Sequence, residues 1–144
     1  PVIMKLSPNV TDIVSIAKAC EEAGADGLSL INTLMGMSID VNKQKPVLGN
    51  VTGGLSGAAI RPVGVRMVYQ VAQAVSIPIL GMGGICNWRD AIEYMLAGAQ
   101  MVSVGAANFA NPMAPLEVLE GIEKYCKEKG IENINDIVGK AWKE

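Results

Sequence analysis

The sequence predicts an α/β fold: about four parallel strands alternating with helices, the C-terminal half of a (β/α)8 (TIM) barrel. Three observations predict it. Short apolar runs alternate with segments whose apolar residues recur at helical spacing. The strand ends carry turn residues, most densely at Gly81-Met82-Gly83-Gly84. Ala23-Gly24-Ala25-Asp26 and Ala97-Gly98-Ala99-Gln100 make the same helix-to-strand turn, a weak internal repeat of a strand–helix pair. Such barrels usually need ~250 residues, and this chain has 144. It opens Pro1-Val2-Ile3-Met4, inside a strand and without an initiator Met. One partial domain over 1–144 is therefore expected, with its N-terminal half absent.

In order, Val2 to Leu6 is the first strand, with Lys5 near its C-terminal end and a Ser7-Pro8-Asn9 turn after it. The first helix places Ile13, Ile16, Ala17 and Cys20 on one stripe and ends at Gly24. Ala25 to Ile31 is the second strand, finishing in Asn32-Thr33. Residues 34–59 then form a long active-face loop, too long for an ordinary connection. Within it, Ser38 to Val41 and Pro46 to Val51 are expected to pair as a hairpin, before a flexible Thr52-Gly53-Gly54-Leu55-Ser56-Gly57 approach. Arg61-Pro62 opens the second helix, with Val65, Val68, Ala72 and Val75 as its apolar stripe.

Ile77 to Leu80 is a third strand, ending in the Gly81–Gly84 turn. The next helix starts from Asn87 as N-cap and stops at Gly98. Gln100 to Val104 is the fourth strand, ending in Gly105-Ala106. Asn111 to Pro115 leads into a helix that runs to Lys129 and stops at Gly130, and a short last helix covers Asn133 to Val138.

Composition narrows the function classes. Half of the residues are hydrophobic and the net charge is -2, so the chain is neither disordered nor basic. With no basic cluster, one Phe, two Trp and three Tyr, it has no platform for nucleic acid. No apolar run approaches the ~20 residues of a membrane span. Three widely spaced cysteines fit a reducing cytoplasm better than a disulfide framework. There is no histidine and no Cys/His cluster, which argues against a metal site. Any chemistry must therefore use a cofactor, a lysine, carboxylates or residues outside this chain.

Parallel α/β architecture puts ligands at strand C-terminal ends. Those ends offer Lys5, Asn32 with Thr33, Gly81 to Gly84, and Gly105-Ala106. They combine a cation, a bidentate amide with a hydroxyl, and two turns of backbone donors. Barrels of this kind often hold a phosphate on the loops after their last two strands. Lys5 is awkward as a core residue, its bland alternative being a lysine reaching solvent; for Asn32 the alternative is an Asx turn. Cys20, Cys86 and Cys126 read as packing residues, and Met35, Met37 and Met82 as filler against a ligand or loop.

The segments MKLSPNVTDI, GADGLSLINTLMGM, TGGLSGAAIRP, IPILGMGGI and VSVGAANF, in this order and spacing, resemble the dihydroorotate dehydrogenases from Pro1 to about Pro112. The run Ile31 to Met37 is most similar to the NAD-linked type B class. The resemblance implies a barrel that binds FMN and oxidises dihydroorotate to orotate in pyrimidine synthesis. It places Lys5 beside the flavin ring, Ile31 against it through the backbone, and Asn32 and Thr33 on the substrate. Gly57 would contact FMN, and Gly83, Gly84, Gly105 and Ala106 would hold its phosphate by backbone amides. Where some relatives have Thr, Ala106 loses a hydroxyl but keeps the backbone donor.

The resemblance also implies a partner subunit with FAD and a [2Fe-2S] cluster that passes electrons to NAD+, and a homodimer within a cytoplasmic heterotetramer. The general base of the class is a cysteine in the first half of the barrel, and none of Cys20, Cys86 or Cys126 corresponds to it. The lone chain is therefore expected to be inactive. Three other readings stay open on the residues: a dihydropyrimidine dehydrogenase-like flavin domain, a phosphate-binding barrel without flavin, and an inactive folding or assembly fragment.

Overall fold

A computed structural model describes residues 1–143. Strand β1 (Ile3–Leu6) leads into helix α1 (Ile13–Glu22), whose N-cap Asp12 accepts from the Val14 and Ser15 amides. Of the expected stripe only Ile13 and Ala17 are buried; Ile16 is exposed and Cys20 half-buried, because α1 covers the edge of the sheet. Strand β2 (Gly27–Leu30) follows, two residues shorter at its start than read from the apolar run.

The long 34–59 excursion is a two-tier ribbon. Its base pairs β3 (Leu34–Met37) with the later β6 (Thr52–Leu55), and its tip pairs β4 (Ile39–Asp40) with β5 (Lys45–Pro46). The expected hairpin forms, but its second strand, read as Pro46 to Val51, is corrected: the last bond across it runs from the Val47 N–H to the Ser38 carbonyl (2.9 Å), and among the described residues nothing beyond Val47 pairs with the first strand. The flexible approach at Thr52 to Leu55 is corrected too, since those residues are an antiparallel strand. Glycine opposite glycine, Gly36 on Gly53, hid the strand from any reading by β propensity. Met35 and Met37 are both more than half exposed on the ribbon.

A 3-10 turn (Ala58–Ile60) starts helix α2 (Arg61–Ala72). Its fully buried residues are Gly64, Met67, Val68 and Val71, while Val65, Ala72 and Val75 of the expected stripe are half-buried against the same core, Val75 lying beyond the end of the helix. Strand β7 (Ile79–Met82) precedes helix α3 (Trp88–Ala97). Asn87 caps α3 within a full capping box, the Asp90 side chain returning the bond, and Gly98 ends the helix at φ 124°. Strand β8 (Met101–Ser103) is followed by a four-residue helix, α4 (Ala107–Ala110), absent from the sequence reading. Helix α5 (Ala114–Lys129) ends at left-handed Gly130, and the last helix expected is a 3-10 turn, Ile134–Ile137.

The central sheet has the order β1-β2-β7-β8, all parallel. Register sorts its two faces. Leu6, Leu30, Gly81 and Val102 align across one face, and with Leu28 and Ile79 they pack against the helices. Lys5, Ser29, Leu80 and Met101 align across the other, where Ile3 and Met101 are about half exposed. Burial on the helix side holds the sheet; the opposite side is exposed at Ile3, Lys5 and Met101 and buried at Ser29 in the middle strand, as on the concave face of a partial barrel.

Tyr94 is the largest fully buried side chain. It stands on α3 in a slot left by two glycines: a Cβ at Gly64 would overlap its hydroxyl, and one at Gly81 would sit 2.7 Å from its ring.

Candidate functional site

Because the four sheet strands are parallel, their C-terminal ends open on one side. There they border a cavity of about 520 Å3. Lys5 reaches it from β1; Ile31, Asn32 and Thr33 from the end of β2; Gly57 from the loop before α2. Gly83 and Gly84 follow β7, and Gly105 and Ala106 follow β8. All nine candidate residues read from the sequence therefore line one space. A second cavity of about 300 Å3 adjoins it under the ribbon and shares Asn32 and Thr33.

The glycine turns are shaped for close approach. Gly84 has φ +74°, and a Cβ there would lie 2.7 Å from the Gly57 carbonyl oxygen, so only glycine fits. Gly105 is the opposite case. Its φ is ordinary and a Cβ would meet nothing within 4 Å, so the fold has no need of a glycine there. Its missing side chain keeps the cavity wall open. Among the described residues, the N–H groups of Gly83, Gly84, Gly105 and Ala106 donate to no acceptor. Four free amides on two adjacent turns make a cradle for an anion.

The other candidates are partly engaged. The Ile31 N–H donates to the Met82 carbonyl (3.0 Å) and the Asn32 N–H to that of Leu6 (2.9 Å), tying the end of β2 to both neighbours. Asn32 Oδ1 accepts from the Thr33 N–H (2.8 Å), a local turn contact, which leaves its Nδ2 for the cavity. Lys5 has no ion-pair partner among the described residues. Asn9 hooks the ribbon to the sheet: its Nδ2 donates to the Thr33 carbonyl (3.0 Å) and its Oδ1 accepts from the Met35 N–H (2.8 Å).

The cavity wall also includes Met82, read as filler against a ligand or loop, and Ser56, Ile60, Ser103, Asn108 and Phe109, to which the sequence reading gave no individual role. Asn108 and Phe109 had a signal, since they lie two and three residues beyond the Gly105-Ala106 turn. Cys86, expected as core filler, is exposed just outside the Gly83-Gly84 turn, and no cysteine lines the cavity. Among the described residues no group of three or more His, Cys, Asp or Glu is placed to hold a metal ion. No helix among them is long and apolar enough to cross a membrane.

Comparison with known proteins gives one consistent answer. A catalytic subunit named dihydroorotate dehydrogenase B (NAD(+)) from Brachyspira hyodysenteriae is 63% identical over 98% of this chain and 46% of its own length. The same-named subunit from Desulforamulus reducens is 66% identical, again with 46% of its length matched. The chain thus spans about half the length of these relatives. The crystal structure of an Eimeria tenella DHODH in complex with ferulenol superposes with a TM-score of 0.83 at 26% identity, covering 100% of this chain and 39% of that one. The parallel strand–helix array is therefore part of a TIM barrel. With the dihydroorotate dehydrogenase family model matching residues 1–126, the chain belongs to the dihydroorotate dehydrogenase family.

Proposed function

We propose that this chain supplies the FMN-holding and part of the substrate-facing wall of a type B dihydroorotate dehydrogenase. The observation that carries the reading is the convergence of Lys5, Asn32, Thr33 and four acceptor-free turn amides on one cavity. The donor set fits a phosphate-bearing flat heterocycle. The amides of Gly83, Gly84, Gly105 and Ala106 would take the phosphate. Ile31, Ile60 and Met82 supply apolar wall for a ring, and Ser56 and Gly57 close one side.

Bound FMN would supply a two-electron acceptor for the hydride that leaves dihydroorotate as it becomes orotate. Lys5 brings to the cavity a cation with no ion-pair partner among the described residues, and it favours negative charge developing beside it. Asn32 Nδ2 and the Thr33 hydroxyl are the groups left to orient a polar planar substrate. The proton lost from the substrate needs a base, and with no cysteine in the cavity we assign none to this chain. A partner subunit with FAD and a [2Fe-2S] cluster, electron delivery to NAD+, a homodimer core of a heterotetramer and a cytoplasmic location complete the proposal, on the resemblance to the type B class.

Intact mass and a visible spectrum of the full-length protein test it. A flavin spectrum bleached by dihydroorotate is expected. A colourless protein, or a flavin that dihydroorotate leaves oxidised, would overturn the reading.

A further inference from the structure

Two side chains outside the cradle each hold two consecutive carbonyls. The Tyr94 hydroxyl lies 2.8 Å from the Gly83 carbonyl oxygen and 3.1 Å from that of Met82. Asn108 Nδ2 lies 2.8 Å from the Val104 carbonyl oxygen and 2.9 Å from that of Gly105. A planar trans peptide points its C=O and the following N–H in opposite directions. The four N–H groups sharing planes with these four carbonyls belong to Gly83, Gly84, Gly105 and Ala106. They are the four cradle amides that, among the described residues, donate to no acceptor.

We propose that Tyr94 and Asn108 are positioning residues: by holding the carbonyls back, they turn the four opposite N–H groups into the cavity before a phosphate arrives. The proposal rests on the phosphate reading above and says what prepares that site. Glycine turns are loose by nature, since glycine visits both signs of φ. Each peptide plane fixed in advance lowers the ordering cost of binding.

The surroundings suit the task. Tyr94 is fully buried in its glycine slot, so its ring has one place to stand. Burial, with Glu93 and Asp90 adding to it against Arg61, pushes the phenol above its ordinary pKa and keeps the donor proton in place. Asn108 is anchored by α4 itself, its own N–H donating to Gly105 (3.1 Å). The amide has two hydrogens for two carbonyls, while the single phenol hydrogen is shared between its pair.

The test compares FMN with riboflavin, which lacks only the phosphate, by flavin-fluorescence titration of the full-length apoprotein. In wild type FMN should bind much more tightly. Tyr94→Phe and Asn108→Ala should each weaken FMN about tenfold. Riboflavin affinity should stay within about twofold of wild type. Equal weakening of both flavins, or no change in either, would overturn the proposal, because a general loosening of the fold does not single out the phosphate. Should Tyr94→Phe fail to fold, Asn108→Ala at the cavity rim carries the same comparison. A wild type without preference for FMN overturns the phosphate reading itself, and that shows before any substitution is made.

Discussion

The guanidinium of Arg61, in the first turn of α2, is paired with the buried carboxylate of Asp90, in the first turn of α3. Asp90 Oδ2 also accepts from the Cys86 N–H (2.9 Å), the Asn87 N–H (3.2 Å) and Asn87 Nδ2 (3.0 Å). One carboxylate thus joins two helices to the far end of the Gly83-Gly84 turn. Asp90→Ala removes the returning half of the capping box, with Asn87 still in place as N-cap, and leaves Arg61 short of its partner. A loss of about 3 kcal/mol in unfolding free energy is expected, near the low end for a buried pair because Arg61 is partly exposed. A urea midpoint shift in the full-length protein measures it.

The two kinds of glycine should part company. Gly105→Ala meets no neighbour and needs no positive φ. It should leave stability unchanged or raise it by up to about 1 kcal/mol, while weakening FMN. Gly84→Ala, at φ +74° and against the Gly57 carbonyl, should cost more than about 2 kcal/mol as well as weaken FMN. Thermal unfolding without flavin separates the two.

Lys5→Gln keeps length and polarity but removes the cation facing the cavity. Flavin reduction by dihydroorotate should slow about 100-fold, with FMN still bound. Stopped-flow bleaching reads the rate, and unchanged kinetics would remove Lys5 from the mechanism.

Tyr94 makes an alkaline prediction. Its phenol is raised above the ordinary value of 10.0, chiefly by burial. The folded chain therefore keeps the proton at a pH where the unfolded chain has released it. The contribution is intact below about pH 10 and is lost as pH rises, by at most about 1.4 kcal/mol per pH unit. Tyr94→Phe should flatten that part of the stability–pH curve, and urea midpoints at pH 9 and pH 11 compare the two proteins. Parallel curves would mean the phenol is not held protonated.

Elements with strong local signals were readable from the chain. Asn87 and Gly98 bound α3 because a cap and a left-handed stop are properties of the residues there. The β3–β6 ribbon was not readable, since Gly53 and Gly54 carry no β propensity and pair only because Gly36 and Met35 lie opposite. The stripe expected on α2 does meet the core, with Val68 buried and Val65, Ala72 and Val75 packed against it, but it leaves out the buried Gly64 for a similar reason. Gly64 is buried not for its hydrophobicity but because the Tyr94 hydroxyl occupies the place of a side chain.

The sequence by itself determined the order of strands and helices, and hence which residues end the strands. Periodicity, caps and glycine turns act within a few residues, and parallel strands place their ends together. Only the tertiary structure decided how the Gly83-Gly84 turn presents its amides. For the Gly105 and Ala106 amides the carbonyls are held locally, by Asn108; at the Gly83-Gly84 turn the holder is Tyr94, eleven residues beyond Gly83, packed in a slot made by α2 and β7.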